Sequence, residues 1–224
     1  MCIYAKSCFM RARKGCVVRK LSVAEHLTID GVMQAPGGPD EDRENGFEYG
    51  GWSANYSDDR ADDMLMQWMH KMGGLLLGRK TYDIWAAFWP NVKSSDPGGD
   101  IAELFNRLPK YVASRTMDKA SWNNTTILTG DVCDAVAQLK QQDGGELQTW
   151  GSGELVRTLL KADLVDELLL LQYPVILGSG KRLFQGDGLP VALKVADSYH
   201  SPQGVTVTRY ERDRDIKLGN RAAN

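Results

Sequence analysis

Residues 146–184, ELQTWGSGELVRTLLKADLVDELLLLQYPVILGSGKRLF, decide how the chain is read. A short strand-like run, Glu146–Trp150, meets Gly151-Ser152-Gly153. An apolar-periodic helix follows (Leu155, Leu159, Leu160, Leu164), then a long apolar run over 168–177. Glycine between a strand and a helix lets backbone come close to a ligand, and the helix N-terminus offers N–H groups with no intrahelical partner. Such a turn can hold a phosphate.

Upstream, the same pattern recurs. Residues 74–78 (GLLLG) are wholly apolar, as in a buried strand. Arg79-Lys80-Thr81 opens a helix carrying Tyr82, Trp85, Phe88 and Trp89 on one face, until Pro90 stops it. Gly78, Arg79 and Thr81 thus form a second phosphate-capable helix start, with a guanidinium, a hydroxyl and backbone N–H groups as donors. A short helix over 101–108 precedes a strand, Lys110–Ala113, that ends in Ser114-Arg115. Another strand (125–129) and helix (132–142) lead back to Glu146. Alternation of this kind predicts an α/β fold with a mostly parallel central sheet flanked by helices, and ligands at the C-terminal ends of its strands. After residue 184 the runs 194–201 and 204–211, with Val205 and Val207 alternating with Thr206 and Thr208, read as antiparallel C-terminal edge strands.

Towards the N-terminus, 18–27 alternates as a first strand and ends at Thr28-Ile29-Asp30-Gly31, a turn signal. The stretch 34–56 is rich in Gly, Pro and acidic residues, a long loop of the kind that usually serves function. Trp52 within it is either a lid over a ligand or an anchor for the loop. Ser57 is the expected cap of the next helix, whose first turn carries Asp58, Asp59, Asp62 and Asp63. Its inward stripe is Leu65, Trp68 or Met69, and Met72. Asp62 lies on the inward side of that stripe, and either faces a cleft or is a solvated N-terminal acid.

Three strand ends therefore carry anion-ready groups: Gly78-Arg79 with Thr81, Ser114-Arg115, and Gly151-Ser152-Gly153-Glu154-Leu155. Together they describe a dinucleotide, its pyrophosphate between two helix N-termini and a further phosphate on the Ser-Arg pair. A 2′-phosphate wants an arginine fork where a free ribose wants a carboxylate, so NADP is favoured over NAD. Other motifs fail. GSGELV ends in Val156 where the dinucleotide fingerprint needs glycine, and LGSGKR has Val175 and Arg182 at two defining positions of a P-loop. Neither Ser152 nor Ser179 sits in a nucleophile elbow.

A chain of 224 residues without an internal repeat is expected to form one domain, 18–211. Residues 1–17 carry four basic residues and no acid, compatible with a transit peptide but lacking its amphipathic pattern; a disordered extension is the preferred reading. Residues 212–224 read as a charged tail. A net charge of −2 gives no reason to expect nucleic acid or an anionic membrane as partner, and no run is long enough to span a bilayer. Cys2, Cys8, Cys16 and Cys133 fit neither a zinc site nor a disulfide framework, which points to a reducing, cytoplasmic compartment and no metal. The apolar runs 168–171 and 173–177 are either a homodimer seam or a strand buried on both faces.

These stretches resemble the dihydrofolate reductase-like fold. They are more closely similar to the reductase domain forming the C-terminal half of the bifunctional riboflavin-biosynthesis deaminase/reductase. The motifs are TIDGV at 28–32, LLLGRKTY at 75–82 with Trp89-Pro90, Ser114-Arg115, WGSG at 150–153 and PVILGSGKRLF at 174–184, and the similarity runs from about 19 to 209. The resemblance implies an NADPH-dependent reductase that passes hydride to a C=N or conjugated bond of a small heterocycle or sugar imine. By position it places Gly78, Arg79 and Thr81 on cofactor phosphate and Ser114 and Arg115 on the 2′-phosphate. Gly151 to Leu155 would cover pyrophosphate and nicotinamide, while Trp85 and Asp30 would face the substrate. Asp62 falls where dihydrofolate reductases keep the carboxylate that helps protonate the pterin, with Asp63 an equal candidate. The arginine that grips the folate tail has no counterpart in register, Arg107 being near but displaced, and the deaminase half is absent. A true dihydrofolate reductase, a 5-amino-6-(5-phosphoribosylamino)uracil reductase and a non-catalytic NADP-binding module remain the alternatives. For a phosphorylated substrate Lys181 and Arg182 are the clustered cations, though a solvated loop is the preferred reading of that pair.

Overall fold

A computed structural model describes residues 18–56, 58–186, 190–213 and 216–219. The expected extension at 1–17, the Ser57 cap and most of the tail beyond 213 lie outside the described residues.

In chain order the elements are β1 (Leu21–Thr28), α1 (Asp59–Met69), β2 (Met72–Gly78), α2 (Arg79–Phe88), α3 (Gly99–Arg107), β3 (Lys110–Ala113), β4 (Thr125–Leu128), α4 (Val132–Lys140), β5 (Glu146–Trp150), α5 (Gly153–Lys161), β6 (Glu167–Tyr173), β7 (Leu193–His200) and β8 (Thr206–Arg212). They build one eight-stranded sheet in the order β4-β3-β2-β5-β1-β6-β8-β7. The pairings from β4 to β6 are parallel, while β8 runs antiparallel between β6 and β7. Of the expected edge pair, only β7 is therefore an edge. This interior place of β8 explains why Thr208 is buried along with Val205 and Val207.

Helices α1, α2 and α3 cover one face, where Trp68, Met69, Tyr82 and Phe105 pack on Leu75, Leu77 and Leu169. Helices α4 and α5 cover the other, where Val136, Leu139, Val156 and Leu159 pack on Leu21, Val23 and Leu147. With both faces covered, the central strands read as near-continuous apolar runs. Lys110, wholly buried, donates to the Phe105 and Leu108 carbonyls at 2.6 and 2.7 Å and satisfies the C-terminal end of α3.

Three local expectations are corrected. Strand β6 stops at Tyr173, because Pro174 cannot continue the ladder. The rest of the apolar run continues beside the chain leaving β1, with Val175 O accepting from Ile29 N and Ile176 exposed. Leu168, Leu169 and Leu171 are buried within the chain between β1 and β8, so they offer no surface to a partner. At the start of α1 the capping side chain is Asp58, which accepts from Ala61 N at 2.9 Å. Of the aromatic face of α2, Tyr82 is buried and Phe88 is exposed, since the helix gives way to a single 3-10 turn at Trp89.

Candidate active site

Parallel order places the ends of β3, β2, β5, β1 and β6 side by side along one edge. Four of these ends carry expected site residues, Ser114-Arg115 after β3, Gly78-Arg79 after β2, Gly151-Ser152 after β5 and Asp30 after β1, and β6 ends at Tyr173. With neighbouring strands about 4.8 Å apart, the first three occupy roughly 10 Å of edge.

At the centre α2 and α5 start on adjacent strands and are fastened to each other. Gly78 N donates to Ser152 Oγ at 2.9 Å, and Ser152 N donates to Thr81 Oγ1 at 2.9 Å. Gly151 and Ser152 both take left-handed backbone, φ 57° each, and a Cβ on Gly151 would come within 2.9 Å of Thr81 Oγ1. Only glycine combines that conformation with that approach. Several groups read as phosphate donors thus hold the turn together instead: Gly78 N and Ser152 N are already donated, and the Thr81 side chain keeps only its hydroxyl proton for a ligand.

Other donors stay available. Helices α1 and α4 are capped by Asp58 and Asp131, but α2 and α5 have no side-chain cap. The N–H groups of Arg79, Lys80 and Thr81, and of Gly153, Glu154 and Leu155, occupy first-turn positions that lack intrahelical acceptors. Two uncapped, positively polarised helix ends side by side suit a pyrophosphate. The side chain of Arg79 turns along α2 to Asp83, Nε to Oδ2 at 2.6 Å. Glu154 is exposed and Leu155 is buried under the turn. After β3, the Ser114 hydroxyl accepts from Met117 N at 3.1 Å, which shapes the turn that carries the exposed Arg115.

The ends of β1 and β6 carry a different chemistry. Asp30 accepts from the Thr28 hydroxyl at 2.6 Å, from Leu177 N and Gly178 N, and from Arg182 Nη2 at 3.0 Å. The Thr28 hydroxyl above all, with the two backbone N–H groups and Arg182, holds its carboxyl down to about 2. An ionised carboxylate so surrounded ties the turn after β1 to the segment after β6. Trp52 is an anchor: its Nε1 donates to Gln34 O at 2.8 Å and its ring meets Tyr173 edge-on. Trp85 stacks on Phe105 at 4.9 Å, joining α2 to α3. Lys181 and Arg182 are not a solvated loop, since Lys181 bridges Asp42 and Glu44 and Arg182 holds Asp30.

Around Tyr173 lies a group the sequence reading missed. His26 Nδ1 is 2.7 Å from the Tyr173 hydroxyl, Tyr56 packs edge-on to the ring, and Ser53 bonds the same hydroxyl. Burial raises the phenol to about 12, with the charge of Asp62 adding to it, and lowers His26 to about 4. Asp62 is exposed at the start of α1, close enough to act on Tyr173. A signal was present: Glu25-His26 places two ionisable residues side by side in a strand whose other members are apolar or small hydroxyl residues. Among the described residues no His, Cys, Asp and Glu cluster could hold a metal ion.

Residues 19–207 match the family model of the RibD C-terminal domain. The chain belongs to this family. The RibD C-terminal domain covers every strand end described above. Among related proteins, the chain is 29% identical over 142 residues to the uncharacterized protein YyaP of Bacillus subtilis, covering 63% of this chain and 75% of YyaP. A crystal structure of a Shewanella sp. PV-4 protein assigned to riboflavin biosynthesis superposes with a TM-score of 0.67 at 23% identity, over 87% of this chain and 99% of that one. Dihydrofolate reductase of Enterococcus faecalis, complexed with NADP(H), superposes with a TM-score of 0.54 at 12% identity, over 87% and 97%. The fold is dihydrofolate reductase-like, as the motifs implied, and it is a reductase fold.

Proposed function

We propose that this RibD C-terminal domain protein is an NADPH-dependent reductase acting on a small, unphosphorylated heterocycle or cyclic imine with a C=N or conjugated bond. The observation that carries the reading is the pair of uncapped helix N-termini, α2 and α5, clasped side by side at the ends of β2 and β5. Their N–H groups would hold the pyrophosphate, and Ser114 with Arg115 the 2′-phosphate. Bound there, the nicotinamide supplies hydride. The NADP(H) complex of the Enterococcus faecalis enzyme supports the same use of this fold.

The acceptor then belongs beside the ends of β1 and β6. Hydride delivery to C=N needs a proton, which the Tyr173 hydroxyl, adjoined by His26, Ser53 and Asp62, is placed to pass on. The cations nearby are already matched: Lys80 and Lys181 face Asp42 and Glu44, and Arg182 faces Asp30. This disfavours a phosphoribosyl substrate, whose phosphate would have to displace those carboxylates.

The test is titration of NADPH and NADH into the protein, followed by tryptophan fluorescence quenching, and repeated on Arg115→Ala. Tighter binding of NADPH than NADH, with the difference lost in the variant, is the expected result. Turnover is then screened with dihydrofolate first and cyclic imines next. If neither nucleotide binds, the reading fails.

A further inference from the structure

The cations around the ends of β1, β2 and β6 each face a carboxylate: Arg79 faces Asp83, Lys80 and Lys181 face Asp42 and Glu44, and Arg182 faces Asp30. Arg157, half-buried on α5, is built differently. Its Nη1 donates to the Arg182 and Leu183 carbonyls at 3.1 and 3.3 Å. Among the described residues no carboxylate pairs with it, and its Nε and Nη2 donors meet no acceptor.

The charge sits at the wrong end of its helix. Arg157 lies one turn after Gly153, and helical side chains lean towards the N-terminus, so the guanidinium folds back over the start of α5. A Cβ on Gly153 would lie 3.3 Å from Arg157 Nη1 and 2.7 Å from Met33 Sδ. Gly153 lacks the positive φ of Gly151, so glycine serves here to give the guanidinium and the thioether room. The helix end so approached is uncapped, and its macrodipole favours an anion and opposes a cation. Bonds to two carbonyls need only a neutral donor. A positive charge placed there, with no described carboxylate to meet it, is matched by an anion from outside the chain.

We propose that Arg157 is a cofactor-binding residue: held by the carbonyls of 182 and 183, its guanidinium gives the cofactor pyrophosphate its counter-charge at the start of α5. The inference rests on the reading of the two helix ends as the pyrophosphate site. It divides the labour between two arginines. Arg115 selects NADPH through the 2′-phosphate, whereas Arg157 serves the part that NADPH and NADH share.

The test titrates NADPH and NADH into wild type, R157M, R157K and R115A, read by fluorescence quenching at several salt concentrations. Urea unfolding is followed beside it. R157M should bind both nucleotides more weakly by the same factor, roughly tenfold or more, and keep the preference for NADPH. R115A should lose the preference alone. A charge acting on an anion is screened by salt, so the affinity of R157M should also depend less steeply on salt than that of wild type. R157K, which keeps the charge, should retain the wild-type salt dependence. The proposal is overturned if R157M binds both nucleotides as wild type does. It is equally overturned if affinity falls with the salt dependence unchanged, since a displaced loop alone would do that. If R157M fails to fold, R157Q is read by the same criteria. If wild type binds neither nucleotide, the reading of the site has failed and this role falls with it.

Discussion

Lys181 Nζ lies 2.6 Å from Asp42 Oδ2 and 2.6 Å from Glu44 Oε2, joining segments 139 and 137 residues apart in sequence. Its backbone N donates to the Gln34 side chain, whose amide in turn donates to the Asp42 and Glu44 carbonyls. The long loop after β1 is thereby tied to the segment after β6. Lys181→Met would leave the buried Asp42 carboxylate without its nearest cation. We expect a loss of about 1–3 kcal/mol in urea unfolding and faster proteolysis within 34–56. Burial opposes ionisation of Asp42, but its bonds to Lys181 and Glu44 N outweigh it and hold the carboxyl below its usual range. The loss should therefore persist down to about pH 4 and shrink only below that, as Asp42 protonates in the fold.

Tyr173→Phe removes the hydroxyl shared by His26 and Ser53 and keeps the ring against Trp52 and Tyr56. Cofactor affinity should be unchanged while turnover of an accepted imine falls by about 10²–10⁴, the range for loss of a proton donor. Asp62→Asn should cost less, acting on Tyr173 from the rim. Steady-state kinetics beside NADPH titration separate the two effects. Unchanged turnover in Tyr173→Phe would make the tyrosine a loop anchor only.

Thr81→Val keeps the shape at α2 but leaves Ser152 N without its acceptor. Loss of one such bond is expected to lower stability by about 1 kcal/mol. It should weaken NADPH by roughly tenfold, because the turn and the two helix ends move together. Ser152→Ala, which frees Gly78 N, should behave alike. Calorimetric titration beside urea unfolding measures both quantities.

Glu25 and His26 impose opposite pH slopes on stability. Burial lowers His26 to about 4 from the ordinary 6.5, so between these values the unfolded chain binds the extra proton and stability rises with pH. Burial raises Glu25, so above the ordinary 4.5 the folded chain keeps a proton the unfolded one releases, and stability falls with pH. From about pH 4.5 to 6.5 the two oppose each other; above 6.5 the His26 slope is gone, and the Glu25 slope, at most about 1.4 kcal/mol per pH unit, lasts as far as its carboxyl stays protonated in the fold. The advantage of E25Q over wild type should thus grow with pH. In His26→Gln the opposition disappears, and stability should fall with pH from 4.5 onward. Urea titrations at pH 5, 6, 7 and 8 read both slopes; a constant difference between E25Q and wild type would mean the carboxyl ionises in the fold.

The β5-turn-α5 stretch was legible because each local signal agreed: alternation, then glycine, then helical periodicity. The strand after α5 was read too long, since apolar content carried on through Val175 to Leu177 while Pro174 had already ended the pairing. Residue type identified Thr81 and Asp30 as polar groups near a ligand, but could not say who else would engage them. Ser152 is 71 residues from Thr81, and Arg182 is 152 from Asp30. Lys181 and Arg182 were undervalued for the same reason, their carboxylates lying on a distant loop. Glu25 and His26 were hidden differently: in a strand buried on both sides, a polar pair signals a task, and an alternation count passes over it.

The bare ends of α2 and α5 have a practical side. A missing cap typically costs about 1 kcal/mol of stability, so the protein without its anion sits below the stability its sequence could reach. Whatever fills the two ends restores that deficit, and ligand binding adds to folding stability as the logarithm of one plus the ligand concentration divided by its Kd. A melting-temperature screen of nucleotides and simple anions should therefore rank ligands before any reaction is known. The site proposed for the nucleotide also makes the protein's heat stability a detector.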